Sequence, residues 1–131
     1  MRSALSLWLL LPAALLLAAP VFAADSAYDT AAAAARARYT DTASKCRKLK
    51  TEERSSCIKL AKVGAYAALN TTYTDAMNAA NATYARTSGR CKSMPGAERR
   101  RCLRIARNER VMALGKAEEI RSAPLAMGPI R

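Results

Sequence analysis

The chain has 131 residues, with 22 Lys plus Arg against 10 Asp plus Glu, four Cys and no His, a length that holds one domain or two very small ones. Without His, the usual general base, the catalytic triad and most zinc sites lack their characteristic residue. The chain is therefore expected not to be an enzyme and to need no cofactor or metal. Aromatic residues make up only 5% and alanine supplies much of the apolar content, so a shallow core is expected. The formal charge of +12 points to an anionic partner.

Met1-Arg2-Ser3 gives a short positive start, and Ala4 to Ala19 is almost wholly apolar, interrupted by Pro12. Pro20-Val21-Phe22-Ala23 then places small or apolar residues where a signal peptidase cuts, which completes the pattern of a secretory signal peptide over residues 1–23. An apolar run broken by proline falls short of the roughly 20 residues that span a bilayer. Cleavage is expected after Ala23, or else after Ala24, releasing the remaining chain to the periplasm or medium. Removing Arg2 leaves 21 positive charges against 10 negative.

Shifting the remainder against itself by 45 residues aligns 28–69 with 73–114 and gives 14 identities over 42 positions. Tyr28 and Tyr39 meet Tyr73 and Tyr84, and Cys46 and Cys57 meet Cys91 and Cys102. A period in the forties with helical composition is expected from one supersecondary unit used twice. Within each unit, Tyr28, Ala32, Ala35, Tyr39, Thr42 and Cys46, or their counterparts Tyr73, Met77, Ala80, Tyr84, Thr87 and Cys91, recur at three- and four-residue steps, the spacing of one helix face. Pro95-Gly96 predicts a turn in the second unit. At the matching place in the first, Thr51 reads as the N-cap of a helix opening on Glu52 and Glu53.

In the second half of the second unit, Cys102, Ile105, Ala106, Met112, Ala113, Ala117 and Ile120 fall on one helical arc, with Arg100, Arg104 and Arg107 opposite. Glu109 lies inside that arc and is expected to snorkel or pair. The fold class is all-α, with two tandem helical hairpins. A break at Asn70-Thr71-Thr72 would fold them into a four-helix bundle over residues 24–121, the arrangement that buries more surface. The alternative is three helices with one long central helix, because no Pro or Gly lies between Gly64 and Gly89. Residues 122–131 hold two prolines and a glycine and are expected to form a flexible tail. The four tyrosines on the alanine-rich faces are expected to fill space left by small residues.

Ten residues separate Cys46 from Cys57 and Cys91 from Cys102, with a turn at the centre of each interval. An antiparallel hairpin brings each pair together, so disulfides within each hairpin are expected; the close pairs of a zinc site and the Cys-x-x-Cys of a redox site are missing. Residues 45–62 carry Lys45, Arg47, Lys48, Lys50, Arg54, Lys59 and Lys62 against Glu52 and Glu53, and residues 90–110 carry Arg90, Lys92, Arg99, Arg100, Arg101, Arg104, Arg107 and Arg110 against Glu98 and Glu109. In an up-down-up-down bundle both turns point the same way and gather this charge at one pole. Lys45, Arg47, Lys48, Lys50, Arg90, Lys92, Arg99, Arg100, Arg101 and Arg104 are the candidate anion-binding residues. With no aromatic side chain among them, sequence-specific nucleic-acid reading is not expected.

Tyr39, Cys46, Leu49, Glu53, Cys57 and Ala61, echoed by Tyr84, Cys91, Met94, Gly96, Glu98, Cys102 and Ala106, resemble the pattern of small exported proteobacterial proteins with tandem alanine-rich helical units of the form Tyr…Cys-x-x-Leu-x-Gly…Cys…Ala. The first unit departs from it, with Thr51 where the pattern has Gly. The resemblance implies a periplasmic location and supplies no catalytic residue. The expected function is non-enzymatic binding of an anionic lipid or lipopolysaccharide surface, or of an acidic protein, peripheral to the membrane at most. The alternatives are a self-associating structural or stress-related helical protein, possible as a homo-oligomer, and a periplasmic enzyme inhibitor.

Overall fold

A computed structural model describes residues 22–125, with side chains from Ala27 onward. Residues 1–21 of the expected signal peptide and the last six residues of the expected tail lie outside the described part, while Phe22 and Ala23 open the first helix. Three helices follow one another: α1 (Phe22–Cys46), α2 (Thr51–Lys92) and α3 (Gly96–Ser122). The four-helix bundle is thus replaced by the three-helix alternative. Asn70-Thr71-Thr72 forms no break. Instead the Thr71, Thr72 and Thr74 hydroxyls donate to the carbonyls of Ala67, Ala68 and Asn70 at 3.1, 3.0 and 2.9 Å. Threonines that could have capped a new helix bond back along the existing one, and alanine on either side sustains it.

At 42 residues, α2 is about 63 Å long. α1 packs antiparallel on its N-terminal half and α3 on its C-terminal half. The contact stripe on α2 runs through Cys57, Ala61, Ala65, Leu69, Thr72, Ala76 and Ala80. Its mean step exceeds the 3.6 residues of a helical turn, so the stripe winds around α2 in the right-handed sense. Over the 34 residues from Cys57 to Cys91 the drift reaches about 160°. One straight helix can therefore serve two partners placed on different sides of it.

The core is thin. Its buried apolar residues are all alanine except Tyr39, Leu69, Cys46 and Cys91. Ala32 and Ala35 of α1 close on Leu69 of α2, and Tyr39 and Ala43 close on Ala65. On α3, Ala106 and Ala117 are buried, but Ile105 and Met112 stand 46% and 75% exposed. The apolar arc read from the sequence is thus only partly covered, because a single neighbouring helix lies along most of α3. Thr72 is the one buried polar residue among those described, and its hydroxyl is satisfied.

α1 and α3 meet beside the middle of α2. Lys116 Nζ lies 3.2 Å from Asp29 Oδ2, and the Arg36 guanidinium donates to the Ile120 carbonyl. That carbonyl is one of the last four of α3, which have no partner within the helix; Ala123 N–H caps Glu119 O, and α1 satisfies the Ile120 carbonyl beside it. The segment expected to be a tail begins inside the fold. Ser122 closes α3, and Leu125 packs against both core clusters beside α1 and α2.

Candidate functional site

The two turns are built alike. Cys46–Cys57 and Cys91–Cys102 are disulfides with Cα separations of 5.5 and 5.6 Å, inside the range that a disulfide bridges without backbone movement. The pairing within each hairpin is the expected one, and it leaves no free cysteine. Leu49 N–H donates to Cys46 O, and Met94 N–H to Cys91 O, each at 3.1 Å. The residues entering the next helix, Lys50 and Pro95, share an extended conformation (φ −61°, ψ 158° and φ −75°, ψ 148°). Lys50 is therefore the N-cap of α2 in place of the expected Thr51, and no side chain caps either helix.

An arginine holds each turn instead. Arg54 donates through Nε and Nη2 to the Leu49 carbonyl at 3.3 and 3.1 Å, and Arg99 Nε donates to the Met94 carbonyl at 3.0 Å. Arg99, read from the sequence as an anion ligand, thus has a structural task, as does its counterpart Arg54. Gly96 carries the one positive φ among the described residues, +24°. Thr51, at the matching place, keeps a negative φ, so the first turn closes without glycine.

Because α2 is continuous, the turns lie at its two ends, and the expectation of a single basic pole is corrected. Lys45, Arg47, Lys48 and Lys50 gather at one end of the molecule, with Lys59 and Lys62 farther along α2. Arg90, Lys92, Arg99, Arg100, Arg101 and Arg104 gather at the other. All of these are exposed except Arg47, which is half-buried. Lys45 pairs with Asp41 at 2.7 Å across one helical turn, an exposed contact worth at most a few tenths of a kcal/mol. Part of the charge suits the helix ends. Lys45, Arg90 and Lys92 sit in last turns, and Glu52, Glu53 and Glu98 in first turns, each complementing the local macrodipole. Arg100, Arg101, Arg104 and Lys48 lie outside that helix-end pattern.

A groove of about 850 Å³ runs between α2 and α3, lined largely by alanines and also by Tyr28 of α1. On its rim the Arg110 guanidinium lies 5.3 Å from the centroid of the Tyr84 ring while its Nε donates to Asn81 Oδ1 at 2.8 Å. Nearby, Arg121 stacks on Tyr73 at 4.6 Å. Its hydrogen bond to Glu118, and next the Glu118 charge, raise its pKa above the ordinary value. Tyr28 donates to the Asp75 carbonyl at 3.4 Å. Of the four tyrosines, only Tyr39 is fully enclosed; Tyr73 and Tyr84 serve as platforms for arginine. Glu109 is exposed at the groove's edge, as snorkelling requires.

Arg36 and Arg110 were not singled out by sequence reading. The clue lay in the mismatches of the 45-residue alignment. Arg36 stands opposite Asn81, and Ala65 opposite Arg110, so the two hairpins differ at the positions where one receives α3 and the other opens into a groove. No helix among the described residues is long and apolar enough to cross a membrane. Two disulfides place the chain in an oxidising compartment. Comparison with protein families, curated proteins and solved structures finds no match.

Proposed function

We propose that this is an exported, non-enzymatic protein, held in the periplasm, that engages anionic envelope surfaces with both ends of a helical rod. The supporting observation is the distribution of charge: the entire positive excess of the exported chain lies in residues 45–62 and 90–110, and these form its opposite ends. The remaining residues of the exported chain cancel in charge. Lipid phosphates or lipopolysaccharide phosphates would be held by point charges, with strong dependence on salt. Helix-end complementarity alone explains Lys45, Arg90 and Lys92. It does not explain the Arg100-Arg101-Arg104 group, which lies beyond the first turn of α3 and far from its last, where the macrodipole has little hold on charge.

Two binding ends separated by about 63 Å on a 42-residue helix make the protein a bridge rather than a single-headed anchor. The purified protein is expected to co-sediment with phosphatidylglycerol-containing vesicles, to cluster them, and to release them in about 0.5 M salt. Replacing Arg100, Arg101 and Arg104 with Gln should abolish clustering while leaving residual binding through the other end. Replacing Lys48, Lys50 and Lys59 as well should abolish both. Binding that survives neutralisation of both ends, or that is indifferent to salt, would contradict the reading.

A further inference from the structure

The α2–α3 groove has a filled counterpart. Leu125 packs on the α1–α2 hairpin against clusters that include Ala35, Tyr39 and Ala65, with Ala61 and Ala68 alongside. Moving these five positions by 45 residues gives Ala80, Tyr84, Arg110, Ala106 and Ala113, which all line the groove of the other hairpin, while the counterparts of Ala32, Ala43 and Leu69 lie outside its lining. Chemically, the site that receives a leucine following a proline is thus laid out a second time, with the Arg110 stem standing where Ala65 packs.

The chain supplies a second segment of the same kind. Pro124-Leu125 recurs as Pro129-Ile130, and the intervening residues carry no charge. Ile130 does not reach Tyr84 of its own chain, only the near end of the groove. Five residues span at most about 18 Å, whereas Leu69, beside Leu125, and Tyr84 are 15 residues apart on α2, about 22 Å along the helix. The rim carries Arg110 and Lys116 against Glu109 and Glu119, a balance that suits a neutral segment better than an anion. Met112, exposed on the same rim, adds apolar surface.

We infer that the α2–α3 groove of one molecule receives the Ala126–Ile130 segment of a second copy, with Ile130 seated on Tyr84 and the groove alanines as Leu125 is seated on Tyr39. The contact is heterologous: one molecule gives a tail and the other a groove. It is independent of the basic ends, so its failure leaves the anion-binding proposal standing.

Sedimentation equilibrium of the purified, disulfide-bonded protein tests this. The full chain should self-associate with rising concentration. A chain stopped after Leu125 and a Met112→Glu chain, both with unchanged helicity, should each associate about tenfold more weakly or less, the scale set by losing one buried aliphatic side chain. Mixing the two variants should restore a complex, since one retains the groove and the other the tail. A protein that stays monomeric up to about 1 mM would overturn the inference. So would a truncated chain that associates as tightly as the full one, or a mixture that fails to pair.

Discussion

Reducing both disulfides is expected to lower the melting temperature by about 20 °C or more, the largest single effect open to this molecule. Each bridge spans a sequence separation of 11 residues, and closing so short a loop in the unfolded chain removes entropy equivalent to about 2–3 kcal/mol. For a domain of about 100 residues, each kcal/mol shifts the midpoint by about 4–8 °C. Little else can compensate. The buried side chains are mostly alanine, each covering far less apolar surface than a leucine, and α3 leaves much of its apolar arc exposed. Circular dichroism melts with and without reductant measure the effect. An unchanged midpoint after complete reduction would mean that packing, not cross-linking, holds the hairpins.

Thr71→Pro is expected to cost about 3 kcal/mol or more. Thr71 is exposed and lies within α2, so its replacement removes no packing. Proline there deletes the backbone hydrogen bond one turn back and clashes with the preceding turn. Thr71→Ala serves as the control and should be neutral or slightly stabilising, because alanine is the better helix former and the lost hydroxyl bond to Ala67 is local. Denaturant titration separates the two. A proline variant as stable as the alanine variant would place a loop, not a helix, at residues 70–72.

That position also shows where the sequence stopped being decisive. Tyr and Cys spacing over 28–46 and 73–91 made the helices and their antiparallel pairing legible, and the identical Cys intervals predicted both bridges. Asn70-Thr71-Thr72 was ambiguous, since the same hydroxyls can cap a new helix or bond back to the old one. Favouring burial chose the bundle. What decided otherwise was the contact stripe, whose steps of four in place of three let one helix carry two partners at different azimuths. The misreading propagated: a bundle joins the basic turns at one pole, and a rod separates them.

The candidate site was legible in composition but not in role. Arg99 and Arg100 are indistinguishable neighbours in the sequence, yet the first holds the Met94 carbonyl and the second projects from the exposed side of α3. Arg54, aligned with Arg99 and followed by serines where Arg99 is followed by Arg100 and Arg101, would have separated the structural arginine from its neighbours. The groove was hidden because apolar periodicity shows which residues face inward, not whether a second helix covers them. Leu125, assigned to a tail, fills the counterpart site in the other hairpin.

The most direct test is the distance between the two turns. Förster transfer between dyes on non-natural residues at Lys48 and Ser93, which leave both disulfides intact, should report a separation of about 60 Å or more, set by the 42-residue length of α2. High transfer efficiency, with the turns about 20 Å apart or closer as in a folded-back bundle, would contradict the continuous rod and the two-ended function built on it.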